Sequence, residues 1–454
     1  MFDPLTPAPR ERLSGGSARA LSATDIDAWT HSLTAATDTG SVLSDGQRVD
    51  AIRALERLGC VVTAAQATLS RELDASQRAQ QALAGTPVTQ RGRGVAEQVA
   101  LARRESPHRG RQHLGLAKVV ATELPHTWAA WRAGRINEWK ATVVARETAC
   151  LSLEHRLAVD ECVASDPAAL EAMGDRELAK ACLTETARLD AAALVARRRK
   201  AESERRVTLR PAPDTMTYLT ALLPVKDGVA VLAQLKKCAE SARASGDERG
   251  LGQLMADLLV NAVAGGGDRS NGTPPPRVAL GLMMSDTALL GGADDSARLD
   301  GFGPIPAELA REIVADACTR DDEVWLRRLY TRPDTGELVS MDSRGRFFRG
   351  GLAKFIRLRD QTCRTPWCDA PIRQVDHSRA SSAGGSTSER NAQGLCEACN
   401  QAKEALGWRA RPGPDRTIQT TTPTGHTHIT RPPPVATIHR RLLPRLTIDY
   451  VMSA

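Results

Sequence analysis

Four cysteines in the last quarter of the chain restrict its fold more than any other feature of the sequence. They form two pairs, Cys363-x4-Cys368 and Cys396-x2-Cys399. Four thiolates in two such pairs are typical of a closed tetrahedral zinc site. A bound zinc ion stabilises short segments that cannot bury enough apolar surface to fold alone. We therefore expect the residues around these cysteines to form a small zinc-stabilised unit.

The residues between and beside the two pairs indicate a second chemistry. Asp376 and His377 combine an oxygen ligand for a hard metal ion with an imidazole, a group that generally titrates near neutral pH. Asn391 and Asn400 supply amide groups, and Lys403 supplies a cation. Together a base, a metal site and a cation suit the hydrolysis of a phosphodiester. The alternative is a zinc ribbon that only binds nucleic acid, although such a ribbon needs none of these side chains.

This stretch resembles the HNH nuclease family, whose fold is the ββα-metal finger. The similar segments follow the order of the family: Phe355-Ile356-Arg357-Leu358-Arg359-Asp360, Cys363-Arg364-Thr365-Pro366-Trp367-Cys368, Val375-Asp376-His377, Gly384-Gly385-Ser386-Thr387, residues 391–395 and Cys396-Glu397-Ala398-Cys399-Asn400-Gln401-Ala402-Lys403. The last position of the HNH signature is often His in the family, and it is Asn400 here. Some members use Asn as a metal ligand at that position.

The resemblance implies a hairpin followed by a helix. The first strand would end at His377, a loop with Gly384 and Gly385 would return the chain, and residues 391–395 would form the second strand. The helix would cover residues 399–406. Residues three apart on such a helix share one face, which can point back at the first strand.

Five residues would then form the catalytic site. Asp376 and Asn400 would hold one divalent ion, Mg²⁺ or a similar ion, against the scissile phosphate. His377 would act as the general base and remove a proton from the attacking water. Asn391 would fix the loop and orient the His377 ring, and Lys403 would stabilise charge on the phosphate. The four cysteines would hold a separate structural Zn²⁺.

Positive charge is concentrated around this region. Residues 344–454 contain 18 Lys and Arg against 8 Asp and Glu, a surplus of +10, whereas the rest of the chain has 43 against 46, or −3. A basic segment of this kind attracts a polyanion through counterion release. Aromatic residues are too sparse there to form a stacking platform for single strands. Duplex DNA is therefore the expected partner.

The upstream part of the chain is predicted to be mainly helical. Apolar residues recur mostly at spacings of three or four: Val49, Ile52, Leu55, Leu58, Val62, Leu69 and Leu73. Ser44 and Asp45 are candidate caps for this helix. Residues 207–210 and 216–223 are predicted to form a β-hairpin. Residues 116–147 fit a helix-turn-helix, but an ordinary αα-hairpin is commoner, so we assign no DNA recognition to them.

Several features bear on the compartment. The other six cysteines are scattered without the spacing of a disulfide framework, and we expect them to be reduced. Residues 1–16 lack the apolar core of a signal peptide, and no apolar run is long enough to span a bilayer. We therefore expect a cytoplasmic protein that does not bind membranes.

Upstream segments also resemble the actinobacterial family known as domain of unknown function 222. They are Arg197-Arg198-Arg199-Lys200 running into Val207-Thr208-Leu209-Arg210-Pro211, then Gly301-Phe302-Gly303-Pro304-Ile305-Pro306 and Trp325-Leu326-Arg327-Arg328-Leu329-Tyr330. Members commonly end in an HNH finger, and some are called 13E12 repeat proteins. The resemblance implies no mechanism for this region, for which a binding or regulatory platform is the natural interpretation.

Together these observations predict a mainly α N-terminal region with a small α/β element, followed by a zinc-stabilised ββα-metal (HNH) finger and a disordered tail. The predicted divisions are a disordered N-terminus (1–25), a helical domain (26–263), a Gly/Pro linker (264–277), a small α/β element (278–343), an HNH nuclease domain (344–409) and a Pro/Thr/Arg-rich tail (410–454). Two classes of function fit this organisation. One is a metal-dependent HNH endonuclease that acts on DNA. The other is a non-catalytic zinc-finger protein that binds nucleic acid or has a regulatory role.

Overall fold

The computed structural model describes residues 21–38, 43–265, 281–319, 329–331, 338–341 and 348–435. This part of the chain is mainly helical, and it divides into two units with the boundary between Gly59 and Cys60. Within the described ranges, every helix is too short or too polar to cross a membrane.

The first unit contains helix α1 (Ala23–Asp38) and the start of helix α2 (Asp45–Leu83). Ser44 Oγ accepts a hydrogen bond from the amide of Gln47 at 3.3 Å, and Gln47 Oε1 accepts one from the amide of Ser44 at 2.9 Å. This reciprocal capping box satisfies two amide groups at the helix start. The predicted cap at Ser44 is confirmed. Residues 1–20 of the predicted disordered N-terminus lie outside the described residues, and 23–25 are helical.

The apolar residues that indicated α2 do not line its buried face. Ile52 is 64% exposed and Leu69 is 49% exposed. The buried face consists instead of small or polar side chains: Cys60, Ala64, Ala67, Asp74, Gln77 and Gln81. Small side chains let a bulky neighbour approach closely, and the fully buried Trp131 donates from Nε1 to Thr63 Oγ1 at 3.0 Å. Periodicity therefore predicted the helix but not the face that it buries.

A series of helices follows, and most of them share the main hydrophobic core with Ala64 and Ala67 of α2. They are α3 (Val95–Arg103), α4 (Pro107–Glu123), α5 (Pro125–Arg132), α6 (Glu138–Glu147), α7 (Leu153–Ala164), α8 (Pro167–Ala172) and α9 (Asp175–Leu189). The segment considered as a helix-turn-helix forms three helices, because Pro125 starts a new one. Buried Asp160 of α7 accepts from the amides of His126 at 2.7 Å and Thr127 at 3.1 Å. It thereby caps α5 from a distant part of the chain.

A hairpin and two helices follow α10 (Ala191–Ser203). Strands β1 (Arg206–Pro211) and β2 (Thr217–Leu222) pair antiparallel, which confirms the predicted hairpin. Helices α11 (Val225–Ala244) and α12 (Leu251–Val260) come next, with one further turn over Asn261–Gly265. Nearly all of the predicted linker, residues 264–277, lies outside the described residues.

The predicted small α/β element is present. Strands β3 (Leu282–Met283), β4 (Ala297–Leu299) and β5 (Gly303–Ile305) form an antiparallel sheet in that order, with helices α13 (Asp286–Leu290) and α14 (Ala307–Thr319). Ala297, Ile305 and Ala310 form its core. Strands β6 (Leu329–Thr331) and β7 (Leu338–Met341) pair as a separate hairpin.

A ββα unit then carries the predicted site. Helix α15 (Phe348–Asp360) precedes strands β8 (Gln374–His377) and β9 (Ala392–Leu395), and helix α16 (Glu397–Lys403) follows. The strands pair antiparallel from Gln374↔Leu395 to His377↔Ala392. The predicted hairpin is confirmed, and the helix begins two residues before the predicted position 399 and ends at 403.

The first part of the predicted disordered tail is folded. Strands β10 (Arg409–Pro412), β11 (Ile418–Thr421) and β12 (Thr427–Thr430) form a three-stranded antiparallel sheet. The prediction of disorder from residue 410 is therefore wrong as far as 430. The composition misled because Gly413, Pro414, Pro423 and Gly425 lie in the turns between strands, whereas β-branched threonine and isoleucine make up most of β11 and β12. Residues 436–454 lie outside the described residues.

Candidate functional site

The four cysteines meet in one buried cluster. The Sγ atoms of Cys363, Cys368, Cys396 and Cys399 all lie within 4.8 Å of one another. Cys368 Sγ is 3.6 Å from both Cys396 Sγ and Cys399 Sγ. These separations are too long for a disulfide, about 2.05 Å. They suit four sulfur ligands at about 2.3 Å from a central zinc ion. The donor set therefore fits a structural zinc.

The ionisation of these thiols is strongly linked. Hydrogen bonds from Cys363, Cys368 and Cys399 lower the pKa of Cys396 well below its usual range. The same cluster raises the pKa of Cys399 far above it, through Cys363 first. One thiolate is stabilised by its neighbours, whereas further negative charge at this distance meets strong repulsion. Four thiolates this close together need a cation among them, and a zinc ion would supply that charge.

The end of strand β8 lies against helix α16. Asp376 and His377 are the last two residues of β8, and Lys403 is the last residue of α16. Lys403 Nζ donates to Asp376 Oδ2 at 2.6 Å and to the carbonyl oxygen of His377 at 2.8 Å. It also lies 3.2 Å from Glu404 Oε1. Its ammonium group thus faces three oxygen atoms of the protein.

The His377 ring is half-buried and is oriented by a loop residue. Its Nε2 lies 2.9 Å from Thr387 Oγ1. Its Nδ1 is 3.9 Å from Asp376 Oδ1, which is too long for a hydrogen bond. Asp376 Oδ1 instead accepts from the amide of His377 at 2.8 Å. Nδ1 therefore keeps room for another partner, such as a water molecule.

Asn391 holds the loop between β8 and β9. Its Oδ1 accepts from the amide of Arg379 at 2.8 Å, and its Nδ2 donates to the carbonyl oxygens of Arg379 at 3.0 Å and Ser386 at 2.8 Å. The side chain is buried, and all of these bonds close the loop on itself. Asn391 thus holds the loop segment that contains Thr387, and Thr387 in turn contacts the His377 ring.

The side-chain oxygen of Asn400 has no hydrogen-bond donor among the described residues. Its Nδ2 donates to Gln374 Oε1 of strand β8. Its Oδ1 is buried and accepts no hydrogen bond from any described residue. A buried acceptor left unsatisfied costs free energy, which a ligand can recover. With the carboxylate of Asp376, this amide oxygen fits the oxygen ligands that Mg²⁺ takes from proteins, the rest being water or phosphate oxygens.

A buried ion cluster supports the second strand. Asp360 accepts from Arg359 Nε at 2.7 Å, Arg364 Nη1 at 2.9 Å and the amide of Gly394 at 2.7 Å. Arg364 also donates to the carbonyl oxygen of Thr430 at 2.8 Å, which links α15 and β9 to the C-terminal sheet. All three charged residues are buried.

Sequence reasoning assigned no role to this cluster or to Thr387. The sequence offers one signal: Arg359 and Asp360 lie three and four residues after the apolar Ile356, on the same face of helix α15. A charge next to buried positions needs a partner, but the sequence does not indicate which one.

A cleft opens beside the loop between β8 and β9. It has a volume of about 380 Å³, and its lining includes Arg379, Arg390, Ser386, Ser388 and Gly413. Both arginines are exposed, and within the described ranges neither side chain pairs with a carboxylate. Two unpaired guanidinium groups and two hydroxyls can contact phosphate oxygens.

Two families match adjacent parts of the chain. Residues 47–360 match the family described as Domain of unknown function (DUF222). Residues 361–406, which contain the four cysteines and the candidate catalytic residues, match the family described as HNH endonuclease. The first match covers more than half of the chain.

Relatives occur in Mycobacterium tuberculosis. The chain is similar to the uncharacterized protein Rv3776 of strain H37Rv, with 29% identity over 364 residues, covering 71% of this chain and 67% of the relative. It is also similar to the uncharacterized proteins Rv2100 of strain H37Rv and MT2160 of strain CDC 1551. Each is 27% identical over 370 residues, covering 71% of this chain and 66% of the relative. No solved structure matches the chain. The chain therefore belongs to the DUF222 family and carries an HNH endonuclease domain directly after its DUF222 region.

Proposed function

We propose that this protein is a metal-dependent endonuclease that hydrolyses phosphodiester bonds of DNA. The observation that carries the proposal is the contact of Lys403 on α16 with Asp376 and His377 at the end of β8. Asn400, on the same helix, is bonded to Gln374 of that strand. Strand β8 and helix α16 of one small unit carry a carboxylate, an imidazole and an amide oxygen. Among the described residues, the imidazole Nδ1 and the amide oxygen have no hydrogen-bond partner. The match to the HNH endonuclease family supports the same chemistry.

In the proposed mechanism His377 is the general base. Nε2 lies at hydrogen-bond distance from Thr387 Oγ1. In the tautomer that carries its proton on Nε2, this nitrogen donates to the hydroxyl, and the lone pair on Nδ1 accepts a proton from water. The resulting hydroxide attacks phosphorus, and the bond from phosphorus to the leaving oxygen breaks. Asp376 and Asn400 would hold the divalent ion, which supplies stabilisation of negative charge on the phosphate. Asn391 keeps the loop, and with it Thr387, in position.

DNA is the proposed substrate because of charge. The segment that carries the site has a surplus of +10, whereas the remainder of the chain carries −3. The cleft with Arg379 and Arg390 lies beside the loop that positions His377, so it can hold the phosphate backbone next to the base. We propose duplex DNA as the substrate, because the arginines of the cleft would bind backbone phosphates. The region also has few aromatic side chains on which single-stranded bases could stack.

One observation favours a second function, a zinc finger that binds nucleic acid without cleaving it. Lys403 already neutralises Asp376 at 2.6 Å, so the carboxylate is satisfied in the absence of a metal ion. A protein of this kind would keep its zinc and its affinity for nucleic acid but would lack turnover. The presence of His377 and of the unsatisfied oxygen of Asn400 makes the nuclease the better-supported function.

The test is a cleavage assay on purified, zinc-assayed protein. Supercoiled plasmid, linear duplex, single-stranded DNA and RNA are incubated with Mg²⁺, with Mn²⁺ and with no added divalent ion. We expect relaxed or linear plasmid with a divalent ion, and no product without one. If no substrate is cut under any divalent ion while DNA is still bound, the second function is correct.

A further inference from the structure

The end of helix α16 contacts a part of the helical region that we call the α2–α3 corner, residues 92–98. Trp408 follows α16 and packs on Gly94, the residue before α3. A Cβ atom added to Gly94 would lie 2.5 Å from Trp408 Nε1 and 3.0 Å from Ala405 Cβ. Gly94 has φ of +83°, a left-handed conformation that glycine adopts at little cost. The close approach of the two segments therefore depends on the absence of a side chain at Gly94.

A second contact joins the same corner to the C-terminal sheet. Thr424 lies in the turn between β11 and β12, and its hydroxyl donates to Oε1 of the buried Gln98 at 3.2 Å. Next to these contacts is a cleft of about 240 Å³ whose walls come from residues 81–93 on one side and 404–406 on the other. The two segments therefore meet at two separate points with a cleft beside them.

A side chain of α2 holds the corner in place. Gln81 is buried, accepts a hydrogen bond from the amide of Gly92 at 2.5 Å and donates to the carbonyl oxygen of Arg93 at 3.3 Å. Both bonds fix the chain immediately before Gly94. The surface that receives Trp408 is thus preformed by the helical region.

Helix α16 connects this surface to the candidate catalytic residues. Asn400 and Lys403 lie on the helix, and Ala405 follows two residues after Lys403. The start of the helix is held by the cysteine cluster, whereas its end rests on Gly94 through Trp408. A helix of two turns has little stability of its own. Its orientation therefore depends on the contacts at both ends.

We propose that the α2–α3 corner positions helix α16 for catalysis, with Trp408 as a positioning residue. The DUF222 region is then a support for the nuclease finger. The catalytic consequence rests on the proposed function, whereas the contact between Gly94 and Trp408 does not.

Gly94→Ala and Gly85→Ala form a matched pair for testing the contact. Gly85 has φ of +76°, and nothing lies within 4 Å of a Cβ atom added there, so its replacement has a similar backbone cost without a clash. In the full-length, zinc-loaded protein, we expect the peptide covering residues 402–408 to exchange its amide hydrogens about tenfold faster in Gly94→Ala than in Gly85→Ala. Equal exchange in the two variants would overturn the proposal.

A second pair of variants tests the packing of the Trp408 ring. Trp408 Nε1 is buried and bonds to no acceptor in the described part of the chain, so Trp408→Phe keeps the aromatic packing and loses no bond. In the peptide covering residues 402–408, we expect amide hydrogens to exchange at the wild-type rate in Trp408→Phe. In Trp408→Ala they should exchange as fast as in Gly94→Ala. In Trp408→Ala we also expect kcat for DNA cleavage to fall about 10- to 100-fold, with KM and zinc content nearly unchanged.

These readouts distinguish the failure of this proposal from the failure of the proposed function. If the wild type cleaves no nucleic acid, the proposed function is wrong, and hydrogen exchange alone decides the positioning contact. If the wild type cleaves DNA and Trp408→Ala matches it in both exchange and kcat, the positioning role is wrong and the nuclease remains.

Discussion

Lys403 Nζ lies 2.6 Å from Asp376 Oδ2 and 2.8 Å from the carbonyl oxygen of His377. Its side chain is only 10% exposed, so the ammonium group is held at the end of β8. The same carboxylate is one of the two proposed ligands of the catalytic ion. Lys403 neutralises Asp376 in this structure, and a divalent ion bound there would compete with Lys403 for the carboxylate.

Replacement of Lys403 by Met should make the fold more dependent on divalent ions. Removing the ammonium leaves the partly buried Asp376 unpaired, which should destabilise the finger by about 1–2 kcal/mol without divalent ion. Mg²⁺ should recover part of this loss, because it binds the vacated carboxylate. Thermal unfolding with and without Mg²⁺ measures both effects. Lys354→Met, which removes an exposed charge from α15, should show neither, and the same result for both variants would refute the competition.

Replacement of Cys399 by Ser should release zinc and unfold the finger locally. The reason is that the free energy of zinc binding supplies most of the folding free energy of such a unit. Metal analysis of reduced protein should give one zinc per wild-type chain and much less in the variant. Cys162 is exposed and lies outside the cluster, so Cys162→Ser should keep a full complement of zinc. Zinc-free wild-type protein with a folded finger would contradict this account.

Replacement of Asp360 by Asn should be among the most destabilising single changes in the finger. It removes the negative charge that the buried Arg359 and Arg364 share, and the expected loss is about 3–5 kcal/mol. Denaturant unfolding measures the free energy of unfolding. Asp369→Asn, at an exposed position, serves as the control and should change it by less than about 0.5 kcal/mol. Equal stability of the two variants would show that the buried cluster contributes nothing.

Glu138 should make the helical region sensitive to acid. Burial raises the pKa of its carboxyl, but the hydrogen bond from His113 and the charges of His113 and Arg103 outweigh burial and hold the pKa below its ordinary value of 4.5. Because the folded-state pKa is lowered, this stabilisation is complete above the ordinary value and is lost as pH falls through the folded-state pKa.

The matching experiment compares stability against pH in two variants. Glu138→Gln should flatten the loss of stability between about pH 5 and pH 3, since the titrating carboxyl is gone. Glu161→Gln, an exposed change on α7, should leave the wild-type slope. A Glu138→Gln slope as steep as that of the wild type would show that other groups account for the acid sensitivity.

The sequence predicted the parts of the finger that short-range spacing determines. The cysteine pairs indicated the buried cluster, and the segments around His377 and Leu395 indicated the hairpin that carries the site. The partner of Lys403 was not predictable, because it depends on how α16 crosses the end of β8. Thr387 was likewise assigned no role, since the path of the loop brings it to the His377 ring.

Composition was a poorer guide than local pattern in the C-terminal region. Prolines and threonines suggested disorder beyond residue 409, yet Thr420 and Thr427 lie in paired strands and Pro423 lies in the turn between them. The contact between Gly94 and Trp408 joins residues more than 300 positions apart. Nothing in either local segment indicates such a contact.

The most direct test of the central claim is cleavage of supercoiled plasmid by His377→Ala beside the wild type, with Mg²⁺ or Mn²⁺. We expect the wild type to cut and the variant to lose activity, with zinc content and DNA affinity nearly unchanged, because the base is lost and the fold is not. Asn400→Ala should recover part of its loss at higher metal concentration. Cleavage by His377→Ala at the wild-type rate would contradict the assignment of His377 as the general base.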